Sequence, residues 1–325
     1  MVNLTRRDFI ALLGGAAAAW PLAARGQPVA GKVPRIGFLQ FGGTTENIAA
    51  FMQGLRDAGY IDGRSAIVEA RYYDIDRVAG LANELVALKC DVIFAAAPYA
   101  IQAAMKATST IPIVGIDLES DPVASGWAAG LAHPGRNLTG IFLDLPELGG
   151  KQIELLKEAV PTLSHLAVLW DSTIGVVQFR ATEAAARVAG VTLQSLSVQQ
   201  PDDFPEVFDR ASREGVHGMV VLSSPLINGQ RSQIGEWALK VRLPTISLFT
   251  QFPRSGGLMA YGPNLADLYK GAAIYVDRIL KGAKAGELPI QRPIKFDLVI
   301  NLKTAKALGL DIPLFLQQRA DEVIE

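Results

Sequence analysis

Small, polar and aromatic residues follow the apolar runs in the first third of the chain. Residues of these types at strand ends suit ligand binding. Backbone N–H groups at a helix start hold anions, an aspartate pairs with an ammonium group, and an aromatic ring packs on an apolar ligand. The candidate ligand-binding residues of this part are Gln40, Phe41, Gly42, Gly43, Thr44, Pro98, Tyr99 and Asp117. Asp117 equally fits a role in holding its own loop together.

The second half of the chain repeats this pattern after its own apolar runs. The candidate ligand-binding residues there are Asp171, Ser172, Thr173, Ser223, Ser224, Phe249 and Tyr261. Other roles remain open for three of these sites, since the serine pair and Asp171 also suit helix capping. Tyr261 equally suits packing at a hinge.

The sequence lacks the residue sets that covalent chemistry needs. There is no G-x-G-x-x-G after the first apolar run, no G-x-x-x-x-G-K-[ST] and no G-x-S-x-G. The histidines His133, His165 and His217 lie far apart without the spacing of metal ligands. We therefore expect no catalytic residues, no metal and no cofactor, and we expect that the protein is not an enzyme.

Short apolar runs alternate with segments of helical periodicity, and hairpin signals are missing. In the first half, strands are predicted at 35–40, 66–72, 91–96 and 113–116, and helices at 46–58, 76–88 and 99–107. In the second half, strands are predicted at 166–170, 219–222, 245–248 and 296–300, and helices at 176–189, 228–241 and 264–280. This order predicts βαβ units. The fold class is α/β, with two Rossmann-like lobes whose parallel sheets are joined by a hinge.

The point where the pattern restarts sets the predicted domain boundaries. Residues 33–142 together with about 262–290 form the first lobe, and residues 143–261 form the second lobe. Residues 291–325 contribute a strand and a helix whose lobe the pattern does not decide. Because ligands bind beyond the carboxyl ends of parallel strands, two facing sheet edges form a cleft that can close on a ligand.

Residues 1–26 have the features of an export signal peptide. Arg6-Arg7 precede an apolar stretch at 10–19 that is too short to span a bilayer. The stretch Thr5 to Ile10 resembles a twin-arginine signal, although an ordinary secretion signal with a chance arginine pair remains possible. Small residues favour cleavage between Gly26 and Gln27. We expect a periplasmic protein.

Composition narrows the possible partners. Half of the 325 residues are apolar, 19% are charged and the net charge is −1. No cluster of lysine or arginine occurs beyond the N-terminus, so we expect no nucleic acid partner. We expect a monomer that binds a small molecule.

Several stretches together resemble one known family. They are Arg35 to Leu39, Leu85 to Phe94, Ala107 to Val114, Asp121-Pro122-Val123, Pro134 to Gly140, Gly256 to Asn264, Tyr275 to Lys284 and Phe296 to Gly309. The chain resembles the ABC transporter substrate-binding proteins of the tryptophan/tyrosine type, which have the type I periplasmic-binding fold. One departure is Ala97-Pro98-Tyr99, which replaces a Gly/Thr-rich turn and favours a less polar ligand such as an aromatic carboxylate.

The resemblance implies an extracytoplasmic protein that captures an amino acid or an aromatic or branched carboxylate by hinge closure. Its partners would be the membrane permease of an ABC importer and the ATPase of that importer. Two alternatives remain open from sequence. One is a periplasmic sensory protein that presents its ligand to a membrane receptor, and the other is an exported Rossmann-type enzyme.

Overall fold

The computed structural model describes residues 32–42, 45–143 and 147–325. The predicted signal peptide at 1–26 and the candidate residues Gly43 and Thr44 lie outside these ranges. Within the described ranges, no helix is long and apolar enough to cross a membrane.

The first lobe is built on a parallel sheet with strand order β2-β1-β3-β4-β5. Its strands are β1 (Arg35–Phe41), β2 (Ile67–Tyr73), β3 (Val92–Ala96), β4 (Ile113–Asp117) and β5 (Leu138–Phe142). Helices α1 (Thr45–Asp57), α2 (Val78–Ala87) and α3 (Pro98–Ala107) connect them. Every residue of β3, β4 and β5 is buried, as expected for parallel strands covered by helices on both faces.

The second lobe is built on a sheet with strand order β12-β11-β10-β9-β8-β6-β7. Its strands are β6 (His165–Asp171), β7 (Thr192–Val198), β8 (Gly218–Val221), β9 (Thr245–Ser247), β10 (Met259–Gly262), β11 (Asp297–Asn301) and β12 (Glu322–Ile324). The helices are α4 (Glu147–Ala159), α5 (Val176–Val188), α6 (Phe204–Arg213), α7 (Pro225–Gly229), α8 (Arg231–Lys240), α10 (Leu302–Leu308) and α11 (Leu314–Gln318). The neighbours β10 and β11 run antiparallel.

The chain passes repeatedly between the two sheets. After β10, helix α9 (Leu265–Leu280) packs on the first sheet, where its buried Ala272 and Ala273 share a core with Phe38 of β1. The approach to α1 is close, because a side chain at Gly54 would place a Cβ 2.7 Å from the Cβ of Ala273. The chain then returns, and β11 pairs with β10 in the second sheet.

The predicted α/β class with two mainly parallel sheets is confirmed. The helix predicted at 228–241 is found as α8 at 231–240. Its start is displaced because residues 225–229 form the separate short helix α7, and the two helices meet at Gln230, where the backbone has left the regular helical conformation (φ −98°, ψ 10°). Sequence periodicity also missed β5, β7 and α6. The strand β7 is exposed or half-buried at most of its positions and carries few large apolar residues.

Candidate functional site

A cavity of about 280 Å³ lies between the two lobes, at the carboxyl ends of the strands. Residues from both lobes line it. They are Gln40, Phe41, Gly42, Asn47, Ala96, Ala97, Ile116, Leu118, Glu119, Pro225, Asn228, Gly229, Arg231, Phe249, Leu265 and Tyr269. The predicted residues Gln40, Phe41, Gly42 and Phe249 are therefore brought together around one space.

The wall formed by the end of β3 has an unusual backbone. Ala97 has φ 75° and ψ 161°, a region that residues with a side chain rarely adopt and that costs of order 1–3 kcal/mol. Its N–H donates to the carbonyl of Ile116 at 2.8 Å, which ties this turn to β4. Pro98 follows in the first turn of α3 and is buried there. Pro98 therefore starts the helix and does not line the cavity.

The end of β4 carries a buried pair of acidic residues. Asp117 is fully buried, and its Oδ1 accepts hydrogen bonds from the N–H groups of Glu119 (2.8 Å) and Ser120 (3.2 Å). Asp117, predicted as a ligand contact, therefore holds its own loop and does not line the cavity in this arrangement. Glu119 lines the cavity in its place. Sequence analysis missed Glu119, because it stands two residues beyond the strand end.

Burial raises the pKa of the Glu119 carboxyl well above its usual value, and the neighbouring negative charge of Asp117 raises it further. The pKa of Asp117 is also raised, by burial. Both oxygens of Glu119 accept hydrogen bonds. The Ser223 hydroxyl donates to Oε1, and the Leu118 N–H donates to Oε2 at 3.2 Å.

The serine pair after β8 has two separate roles. Ser223 is fully buried and bonds Glu119 of the other lobe, so it joins the lobes. Ser224 caps α7, since its Oγ accepts a hydrogen bond from the Ile227 N–H at 3.0 Å. Both serines were predicted as ligand contacts, but in this arrangement their hydroxyls are engaged and neither residue lines the cavity.

The end of β6 holds a second aspartate-centred loop. The Oδ1 of the buried Asp171 accepts hydrogen bonds from the N–H (2.9 Å) and the hydroxyl of Thr173. The Thr173 hydroxyl lies 2.5 Å from the hydroxyl of Tyr99 in the other lobe. The Ser172 Oγ accepts a hydrogen bond from Gln199 Nε2 at 3.0 Å. These residues shape the loop, and Asp171, predicted as a ligand contact, uses Oδ1 within this loop and does not line the cavity.

Tyr261 lies away from the cavity. It is on β10, where its ring stacks on Phe296 with a centroid distance of 5.9 Å and packs against the core of the second lobe. Its carbonyl accepts a hydrogen bond from Gln152 Nε2 at 3.1 Å. Tyr261 was predicted either as a ligand contact or as a packing residue at a hinge, and its position in this structure is one of packing beside the crossing between the lobes.

Gln178 on α5 is a contact between the lobes that the sequence did not reveal. Its Nε2 donates to the carbonyl of Leu118 in the first lobe at 3.1 Å, and its Oε1 accepts from the N–H of Ser223 at 3.1 Å. Together with the bonds from Ser223 to Glu119 and from Tyr99 to Thr173, this contact connects the lobes directly. The structure therefore shows the cleft in a closed arrangement.

Arg231 is a charged lining residue that sequence analysis also missed. It is the first residue of α8, and its Nη1 donates to the carbonyl of Asn228 at 3.0 Å. Its Nε is buried and has no hydrogen-bond partner among the described residues. Nothing in the sequence around Arg231 distinguishes it from an ordinary arginine on a helix surface.

A second cavity of about 220 Å³ lies on the other side of the Leu118–Ser120 segment. It is bordered mainly by apolar side chains of both lobes, including Leu143, Val177 and Leu222. No group of three or more His, Cys, Asp or Glu side chains that could hold a metal ion occurs in the described parts of the chain.

Two sheets with one cavity between facing strand ends define a two-lobed ligand-binding protein with the periplasmic-binding fold. The chain belongs to the ABC transporter substrate binding protein family, because the model of that family matches residues 32–324. The family resemblance inferred from the sequence is thereby confirmed. The family consists of solute-binding proteins.

Individual relatives agree with this assignment. The chain is 24% identical over 267 residues to a tyrosine-binding protein of Clostridioides difficile, which covers 80% of this chain and 75% of the relative. An ABC domain from Streptococcus pneumonia in complex with L-Trp is 25% identical, with a TM-score of 0.82 over 90% of this chain and 100% of the other. The ligand-free, open structure of a substrate binding protein from Clostridium difficile is 23% identical, with a TM-score of 0.67 over 90% and 99%.

Proposed function

We propose that this protein is the extracytoplasmic solute-binding component of an ABC importer and captures an amino acid or an aromatic or branched carboxylate by closing its lobes. The observation that carries this proposal is the cavity lined by strand ends of both lobes. A ligand there contacts both lobes only when the cleft is closed. The ligand therefore favours the closed form by its differential affinity for that form.

The cavity supports a ligand with one apolar part and one polar end. Phe41, Phe249 and Leu118 provide apolar walls. Asn228, Arg231 and Asn47 provide polar groups on the lining. A few polar groups in a mainly apolar pocket are typical of small-molecule sites. The relatives named for L-Trp and tyrosine support ligands of the same general kind.

A thermal-shift screen tests the proposal. The probes are L-tryptophan, L-tyrosine, L-phenylalanine, L-leucine, their carboxylates without the amino group, and a set of sugars. A true ligand at about 1,000 times its dissociation constant stabilises the folded protein by roughly 4 kcal/mol, which raises the Tm by several degrees. A response to sugars alone would contradict the proposed ligand class.

A pair of matched variants then locates the site. Phe41→Ala removes an aromatic wall, and we expect the affinity for the best probe to fall at least tenfold. Phe315→Ala is the control, since Phe315 is half exposed on α11 and lines neither interlobe cavity. Titration calorimetry measures both. Equal affinities in the two variants would exclude this cavity as the binding site.

The importer role and the periplasmic location need a test in cells. We expect the protein in the periplasmic fraction without residues 1–26, and we expect deletion of its gene to abolish uptake of the ligand found in the screen. Normal uptake after deletion, with intact binding by the purified protein, would instead favour a sensory role.

A further inference from the structure

The cavity contains a cationic group, Arg231, that has no counterion among the described residues. Arg231 forms no ion pair with any carboxylate among the described residues, and its buried Nε has no hydrogen-bond partner there. The Nη1 of its guanidinium donates a hydrogen bond to the carbonyl of Asn228, three residues earlier, and this bond orients the group. A guanidinium in this situation recognises a carboxylate with directional, charge-assisted hydrogen bonds.

Carboxylates around this cavity are few. Asp117 and Asp171 are buried and do not line it, and each accepts hydrogen bonds from its own loop through Oδ1, while Oδ2 of Asp117 has no hydrogen-bond partner among the described residues. Glu119 is the acidic residue that lines the cavity, and both of its oxygens accept hydrogen bonds from the protein. An ammonium group placed here would lose its hydration without gaining an ion pair, which is unfavourable.

The raised pKa of Glu119 also disfavours pairing with an ammonium group. Its pKa is raised by burial and by the neighbouring Asp117, which disfavours the charged form of this carboxyl relative to that of an exposed glutamate. Among the described lining residues, the cation is therefore Arg231 and the acid is Glu119, whose two oxygens already accept hydrogen bonds from the protein.

We propose that the cavity binds a monocarboxylate that has an aromatic or branched apolar part and lacks an α-ammonium group. The carboxylate lies at the Arg231 guanidinium, and the apolar part lies against Phe41, Phe249 and Leu118. This inference rests on the proposed function and narrows its ligand class, since it excludes zwitterionic amino acids as the preferred ligands.

Calorimetric titration with matched ligand pairs tests the inference on the unmodified protein. The pairs are L-phenylalanine with 3-phenylpropionate, L-tryptophan with indole-3-propionate, and L-leucine with 4-methylpentanoate. Phenethylamine, which has the ammonium group without the carboxylate, completes the set. We expect the acid of the best pair to bind at least tenfold more tightly than its amino acid, and we expect the amine not to bind.

Arg231→Gln tests the assigned contact. We expect the affinity for the acid to fall at least 30-fold, while the Tm of the free protein stays the same or rises. Arg187→Gln is the matched control, since Arg187 is exposed on α5 and forms no ion pair with the described residues; it should leave the affinity unchanged. Arg231→Lys keeps the charge but loses the planar geometry, so we expect a smaller loss of affinity than in Arg231→Gln. This variant still tests the contact if Arg231→Gln does not fold.

The outcomes separate the inference from the function on which it rests. An amino acid that binds as tightly as its acid, or an amine that binds best, overturns the inference and leaves solute binding intact. Full acid binding by Arg231→Gln overturns the assigned contact. The absence of binding by every acid and amino acid overturns the inference and the proposed function together.

Discussion

The strand ends of β4 in the first lobe and β6 in the second lobe share one local design. Each strand ends in a buried aspartate whose Oδ1 accepts the N–H of the residue two positions later. In each lobe that later residue bonds the opposite lobe, since Glu119 accepts from Ser223 and Thr173 bonds Tyr99.

The two loops differ in depth. Glu119 and Ser223 are buried between the lobes, whereas the bond between Tyr99 and Thr173 is exposed. A buried polar group that loses its partner costs about 1–3 kcal/mol, while an exposed group turns to water. The loop of Asp117 and Glu119 should therefore stabilise the closed form strongly, and the loop of Asp171 and Thr173 only weakly.

Gln178→Ala should have the largest effect on the deep contact. It leaves the N–H of Ser223 and the carbonyl of Leu118 without their partner, which should destabilise the closed form by about 2–4 kcal/mol. The affinity for the best ligand, measured by calorimetry, should fall by roughly 30-fold or more. A loss of affinity below threefold would mean that the Ser223 N–H and the Leu118 carbonyl find other partners. Burial of the contact would then not explain how much it contributes to closure.

Ser223→Ala removes only the hydroxyl that bonds Glu119. The cost should be about 1–3 kcal/mol, or roughly a 5- to 150-fold loss of affinity. Ser223→Thr keeps the hydroxyl and should retain more of the affinity than the alanine variant. Equal losses in the two variants would point to packing at this position instead of the hydrogen bond.

The pH dependence of stability should report the buried acid pair. Because the folded state raises the pKa of Glu119, its contribution to stability is complete below a pH of about 4.5 and declines as the pH rises through the folded-state pKa. Glu119→Gln cannot titrate, so its Tm relative to that of the unmodified protein should rise steadily with pH above about 4.5. The exposed Glu236→Gln is the control. A Tm difference that is constant from pH 4 to pH 8 would contradict this prediction.

Tyr99→Phe should have the smallest effect. It removes the hydroxyl that bonds Thr173 at the outer contact, where water can replace it. We expect a change in affinity below threefold, or about 0.5 kcal/mol. A loss as large as that of Ser223→Ala would show that the outer contact is as important as the deep one.

Sequence reasoning located the strand ends, but it did not show which of their side chains face the cavity. Phe41 and Phe249 line the cavity. Asp117, Asp171 and Ser224 also follow strands, but each one satisfies nearby backbone groups. An aspartate that folds its own loop and one that contacts a ligand have the same sequence pattern, so the sequence could not distinguish them.

The residues that sequence analysis missed are important because of partners that lie far away in the chain. Glu119 is defined by Ser223, which lies 104 positions later, and Gln178 by Leu118, which lies 60 positions earlier. Arg231 is notable because the fold buries its Nε at the cavity and places no acceptor from the described part of the chain beside it. No local periodicity or motif encodes these relations.

The sequence by itself determined the α/β class, the family and the positions where strands end, because apolar runs and turn residues are local signals of burial and chain reversal. Only the tertiary structure decided which polar groups remain available to a ligand. That availability depends on which donors and acceptors the two lobes bring within hydrogen-bond distance of each other. Such pairing is a property of the folded, closed protein and is set by contacts between residues that are far apart in the chain.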